Sequence, residues 1–265
     1  MSIYLDLTSE FNCDRLRAVI CSGQAVVLHR LAVMSKDGDW ILREDAEALD
    51  HVLGILEGRG AVYRFGAPLD VRWMRGGWSS HLEFHREGIR VRTDFFTRPP
   101  RLSAGDLERI WLEQEGQPYP FTQAKDLARV KMTQREKDYP VIGELARLMK
   151  HPGDQMRFSR SAHDLRELCR REPNVARSIA EERPLLRWAL DPEATVERLE
   201  EELDAERRRL IRQDRDRMDR FEAAAEPWKL RWTNVRRDIE GLPLRQVHAI
   251  LIEEAKRCLP QEISP

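Results

Sequence analysis

The feature that most constrains this chain is a change of character near residue 150. Before it lie most of the glycines and a series of short alternating segments. After it the sequence is charged, glycine-poor and rich in helix formers, with Pro152-Gly153 as punctuation at the join. Alternation with period two builds strands, and a glycine-poor stretch with apolar residues three or four apart builds helices. The chain has 265 residues, above the common single-domain size of about 100–150. These features predict two domains: an α+β domain over residues 1–150, a mixed sheet with flanking helices, then an all-helical C-terminal domain over 151–265.

Within the first part, residues 14–21 read as a helix turning into a short strand. Gly23 opens an apolar helix through Leu31, and residues 32–42 read as a strand. Residues 44–57 carry a helical stripe (Ala48, Leu49, Val52, Leu53, Ile55, Leu56) that stops at Gly58 and Gly60. Residues 81–97 read as a hairpin turning at Glu87-Gly88. Counting outward from a two-residue turn pairs Phe84 with Val91, Glu83 with Arg92, Leu82 with Thr93 and His81 with Asp94. That register points Asp94 away from the apolar face. In the second part Ser161 reads as an N-cap, and Asn174 is expected to cap residues 175–180. Thr195 opens a long helix expected to end near Ala225, before Pro227.

The segment that carries chemistry is Ser22-Gly-Gln-Ala-Val-Val-Leu-His, followed by Ser35-Lys-Asp-Gly-Asp-Trp-Ile-Leu. Residues two apart on a strand share a face, so Asp37 and Asp39 project side by side, with Gly38 leaving room between them. Asp94 would add a third carboxylate from another strand. Three converging acids repel one another unless cations neutralise them, and their hard oxygens suit Mg2+ or Mn2+ in a two-metal arrangement. Ser22 and Gly23, at a helix start, offer backbone N–H groups to a nucleoside triphosphate such as ATP.

These motifs, in this order, resemble the minimal, polymerase-beta-like nucleotidyltransferases, in particular the bacterial group related to abortive-infection toxins and aminoglycoside nucleotidyltransferases. That pattern is Gly-Gly or Gly-Ser at a helix start, Asp-x-Asp on the next strand and a third Asp on a later one. Ser22-Gly23, Asp37 with Asp39, and Asp94 occupy those places, with Ser22 where many relatives have the first glycine. The stretch from Lys125 to Tyr139 is similar to the family's closing helix, and the resemblance gives Lys131 a phosphate contact and Lys137-Asp138 the completion of the site. It implies a nucleotidyltransferase-like sheet over roughly residues 14–150 and a reaction that moves a nucleoside monophosphate from a triphosphate to an acceptor hydroxyl. The metal and catalytic roles fall to Asp37, Asp39 and Asp94, and nucleotide binding to Ser22, Gly23, Lys131, Lys137 and Asp138.

Other clusters read more plainly. His81, Glu83 and His85 share a strand face, but alternate strand residues point in parallel and do not converge on one metal. Gly76-Gly77 has no following Lys-Ser or Lys-Thr, so it is not a Walker loop. Trp228, Trp232, Arg231, Arg236 and Arg237 could stack on bases and meet phosphates, although core packing with a solvated basic face is the simpler reading. Charged residues make up 34% of the chain but cancel to a net charge of −1, so no global field draws it to nucleic acid or anionic lipid. The four cysteines have no C-x-x-C spacing. With no signal-like N-terminus and no long uncharged apolar run, the chain is expected to be cytoplasmic and without a membrane partner. Two rival readings are a nucleotide-binding protein without turnover, and a protein whose charged helix from Thr195 docks a partner.

Overall fold

A computed structural model describes residues 2–263 of the chain. By their contacts, the residues group into two compact units. The first comprises Met1–Thr122 and Asp219–Pro265, and the second Gln123–Met218. The division expected near residue 150 therefore falls elsewhere. Composition tracks the type of secondary structure, whereas the units follow which helices pack together. Pro152 and Gly153 form the first turn of a helix, where proline's fixed φ is pre-organised and its missing N–H costs nothing.

The first unit holds α1 (Ile3–Phe11), β1 (Ala18–Cys21), α2 (Ser22–Leu28), β2 (Asp37–Leu42), α3 (Ala46–Gly58), β3 (Val62–Tyr63), α4 (Val71–Met74), β4 (Ser80–Arg86), β5 (Ile89–Phe96) and α5 (Ala104–Gln114). Its strands form one mixed sheet in the order β1-β2-β5-β4-β3. The β2–β5 pair is parallel and the others antiparallel. The helix expected over residues 14–21 lies earlier, as α1. Residues 12–17 instead form a turn, because the Asn12 side-chain carbonyl accepts from the backbone N–H of Arg17 (2.7 Å) and Ala18 (2.9 Å) and holds the chain for β1. β2 starts at Asp37, five residues later than expected, after a loop in which Arg30 takes a left-handed φ of 61°.

One face of the sheet is apolar and covered. Trp40 stacks on Phe95 at 5.5 Å between ring centroids, and Phe11 of α1 meets both rings edge-on. The Trp40 indole N–H donates to Thr8 Oγ1 at 2.9 Å, so its polar edge is satisfied inside the core. α3 lays its buried stripe of Ala48, Leu49, Val52, Leu53 and Leu56 into the same core. Its start is fixed by Asp45, whose carboxylate accepts from Ala48 N at 2.7 Å.

The second unit is helical: α6 (Ala124–Val130), α7 (Asp138–Leu148), α8 (Pro152–Phe158), α9 (Ala162–Arg171), α10 (Pro173–Ile179), α11 (Leu186–Leu190) and the first part of α12 (Val196–Asp238). Met156, Leu165, Leu186 and Leu199 centre its core. Ser161 caps α9 as expected, its hydroxyl accepting from Asp164 N at 3.1 Å. Asn174 does not cap, because Pro173 already occupies the first helical position. Beside this core Glu206 takes Nε and Nη2 of Arg183 at 3.0 and 2.8 Å and also binds Arg160. Burial and the neighbouring Arg183 push the Arg160 guanidinium down to about 10.

α12 does not stop before Pro227; it runs through it to Asp238. Residues 219–238 of this helix and all of α13 (Leu244–Cys258) belong to the first unit. Trp228, 1% exposed, donates its indole N–H to the Gly66 carbonyl at 2.9 Å and packs on Trp232. That burial offsets the cost of a helix-interior proline, about 3 kcal/mol, by a comparable amount.

Candidate functional site

The acids lie on the sheet face opposite the Trp40 core. Asp39 pairs with Asp94 across the parallel β2–β5 ladder and with Cys21 on its other side, while Asp37 pairs with Arg92. Adjacent strands are about 4.8 Å apart and alternate residues about 6.6 Å apart, so the three carboxylates spring from one small patch. The hairpin register is the expected one, from Arg86 opposite Ile89 back to His81 opposite Asp94.

Gly38 serves the other face. A Cβ there would lie 2.4 Å from the Trp40 ring and 2.5 Å from the Tyr4 ring. Its smallness therefore admits two core aromatics and makes no room for a metal. Tyr4 seals this end of β2, donating its hydroxyl to the Lys36 carbonyl at 2.6 Å. Its phenol is pushed up by burial first, and then by the negative charges of Asp37, Asp39 and Asp94.

The turn from β1 into α2 is tied to the same place. Gln24 donates its amide to the carbonyls of Ser35 (3.0 Å) and Asp37 (3.3 Å). A Cβ on Gly23 would meet Ser35 Oγ at 2.3 Å. Ser22 has a φ of 51°, a left-handed conformation that glycine enters freely and serine at a cost. The backbone keeps the glycine-type turn although the residue is serine.

Asp94 is held by two donors at one oxygen: Arg64 Nη2 at 2.7 Å and His81 Nδ1 at 2.8 Å. A carboxylate only accepts, so His81 donates through Nδ1, and its Nε2 lies 2.9 Å from the Ser79 hydroxyl. The pairing register anticipates His81, but Arg64 and Ser79 were missed. Arg64 follows a two-residue strand that no alternation reveals, and Ser79 precedes a strand in a glycine-rich turn.

Asp37 Oδ1 is a buried acceptor without a hydrogen-bond donor, with Arg92 Nη1 standing 3.6 Å away. A shielded, unfilled carboxylate oxygen beside two further acids fits a hard cation. The three carboxylates share a face but do not converge as they stand. Among the described residues, the set of three whose ligand atoms lie within 4.8 Å of one another is Cys13, Asp14 and His51. Two of its members have other partners: both Asp14 oxygens bind Arg17, and His51 Nε2 lies 3.2 Å from the Glu10 carbonyl.

No protein-family model matches the chain, and no curated protein matches it. Among solved structures, it is similar to a candidate nucleotidyltransferase from H. pylori. The two share 10% identity, with 80% of this chain and 94% of that one covered and a TM-score of 0.38. So distant a superposition decides no chemistry, and the site must speak for itself.

Lys131, Lys137 and Asp138 lie in the second unit. They do not continue one closing helix, because α6 ends at Val130 and α7 begins at Asp138. Lys131 Nζ binds Asp138 Oδ1 at 3.1 Å, both side chains being less than 10% exposed, and Thr133 donates to the other oxygen at 2.9 Å. Lys137 is exposed. No helix among the described residues is long and apolar enough to cross a membrane.

Proposed function

We propose that the first unit is a nucleotidyltransferase, joining a nucleoside monophosphate from a triphosphate to an acceptor hydroxyl. The observation that carries this reading is the parallel pairing of Asp39 with Asp94, Asp37 one step back, on a polar sheet face beside the Ser22-Gly23 turn. Asp37, Asp39 and Asp94 would hold one or two Mg2+ or Mn2+ ions, which when bound neutralise phosphate charge as Lewis acids. The backbone N–H groups at Ser22 and Gly23 bind the terminal phosphates. The acceptor oxygen forms a bond to the α-phosphorus, the bond to the β-phosphate oxygen breaks, and pyrophosphate leaves. Asp94 takes the acceptor proton, and His81 and Arg64 fix the carboxylate that receives it.

The test is to incubate the protein with Mg2+ and each α-labelled nucleoside triphosphate, following both the label and pyrophosphate. Asp39→Asn keeps the side chain's volume but loses its charge, and is expected to lower transfer at least a hundredfold with the circular dichroism spectrum unchanged. Equal transfer by the variant and the parent would place the chemistry elsewhere. Nucleotide binding without pyrophosphate release would identify a binding protein that does not turn over.

A further inference from the structure

The tryptophan and arginine cluster of the C-terminal segment is only partly core. Trp228 is buried, but Trp232 is partly exposed and Arg236 and Arg237 are exposed. These three side chains line a cavity of about 710 Å3, together with Phe65, Arg64 and Glu83 from the edge of the sheet. Every lining residue belongs to the first unit. We propose that this cavity binds a nucleoside 5′-monophosphate.

The chemistry of the lining selects that class. Phe65 is 42% exposed and meets Trp232 edge-on at 5.9 Å, leaving aromatic surface open to a planar ring. Arg236 has no hydrogen-bond or ion-pair partner among the described residues, and Arg237 is engaged through Nη2 by Asn234. Both exposed guanidiniums line the cavity, and each offers a planar fork of donors suited to phosphate oxygens. Glu83 and Glu240 supply acceptors for amino groups on a base, and the volume falls in the range of about 300–1,000 Å3 usual for small-ligand sites. Aromatic surface, unfilled guanidinium donors and acceptors in one pocket of this size describe a base and a phosphate joined through a sugar.

Arg64 links the cavity to the acids. It lines the cavity, donates Nη2 to Asp94, and keeps a buried Nε with no acceptor. Asp94 does not itself line the cavity; one side chain, Arg64, joins the two, and on that link we assign the cavity to the acceptor side of the reaction. That assignment to the acceptor rests on the transferase reading; the binding itself does not.

The experiment is calorimetric titration of AMP into the full chain in excess EDTA, so that no metal-bound nucleotide contributes. Saturable one-to-one binding is expected, weakened at least tenfold in Arg236→Gln/Arg237→Gln and in Phe65→Leu, with circular dichroism showing both variants folded. Adenosine should bind more weakly than AMP to the parent and no differently to the double-arginine variant. Absence of saturable AMP binding overturns the proposal, as does binding that both variants leave unchanged. Transfer activity in a protein that does not bind AMP would remove the pocket and leave the acids standing. AMP binding in a protein without transfer activity would keep the pocket and remove the reaction.

Discussion

Ser22 tests how far a backbone conformation can outlive the residue that usually supplies it. Its φ of 51° is the region that glycine favours; under the proposed function the Ser22 side chain stands in the way of the phosphates. Ser22→Gly relieves a left-handed strain of about 1–2 kcal/mol, while glycine's freedom in the unfolded chain costs about 0.5–1 kcal/mol. Stability should therefore change little, whereas the KM for the triphosphate in a transfer assay should fall severalfold. An unchanged KM would take the phosphates away from this turn. Histidine burial gives a second expectation. Burial pushes His29 and His248 below their ordinary pKa of 6.5. Between that value and the folded one, the unfolded chain binds protons that the folded chain refuses, so this stability is present above about pH 6.5 and lost as pH falls. The melting temperature should drop between pH 7 and 5. His248→Gln, which removes one of the two groups, should be less stable at pH 7 yet flatter over that range; a parallel profile would refute the assignment.

At the scale of elements, what was legible followed the side-chain period. The hairpin register could be counted from the turn because alternation and a two-residue loop leave one pairing, and the resulting face of Asp94 is what the structure has. Both turn residues have positive φ, 52° at Glu87 and 78° at Gly88. A type I′ turn asks for this, and asparagine meets it better than glutamate. Glu87→Asn is expected to stabilise the protein by about 0.5 kcal/mol, read as a higher urea midpoint with the slope unchanged. No change or a loss would argue against strain at Glu87. Tertiary contacts decide the elements that depart from the side-chain period. Nothing local announces that Asn12 ends α1 by bonding forward to Arg17 and Ala18, or that burial of Trp228 carries α12 through Pro227. The acids were legible as residue types at a spacing. Arg64, which holds Asp94, was not, since it follows a two-residue strand and leaves no periodic trace.

At the scale of the whole molecule, the sequence revealed that a sheet-bearing part precedes a helical one but misjudged the allotment of helices. α12 contributes to both units, and no compositional step marks residue 218. The second unit also contains a feature that hydropathy cannot foresee, a buried cluster of two arginines and one glutamate. Burial would raise the Glu206 carboxyl, but Arg183 and Arg160 hold it below its ordinary value. Arg183 spends its remaining donors on the carbonyls of Met156 and Ser159. Glu206→Gln keeps the volume and leaves two buried cations without a counter-charge, a loss of about 3–5 kcal/mol if the network behaves as buried pairs do. Amide exchange in Gln123–Met218 should then quicken, most of all around Met156 to Arg183, while the β2–β5 ladder of the first unit stays better protected. Replacing all three residues by apolar ones of similar volume should recover much of the loss, because the desolvation cost disappears with the charges. Uniform loss of protection across both units in Glu206→Gln would show that they unfold as one, and an unaltered exchange pattern would show that the cluster contributes nothing to stability.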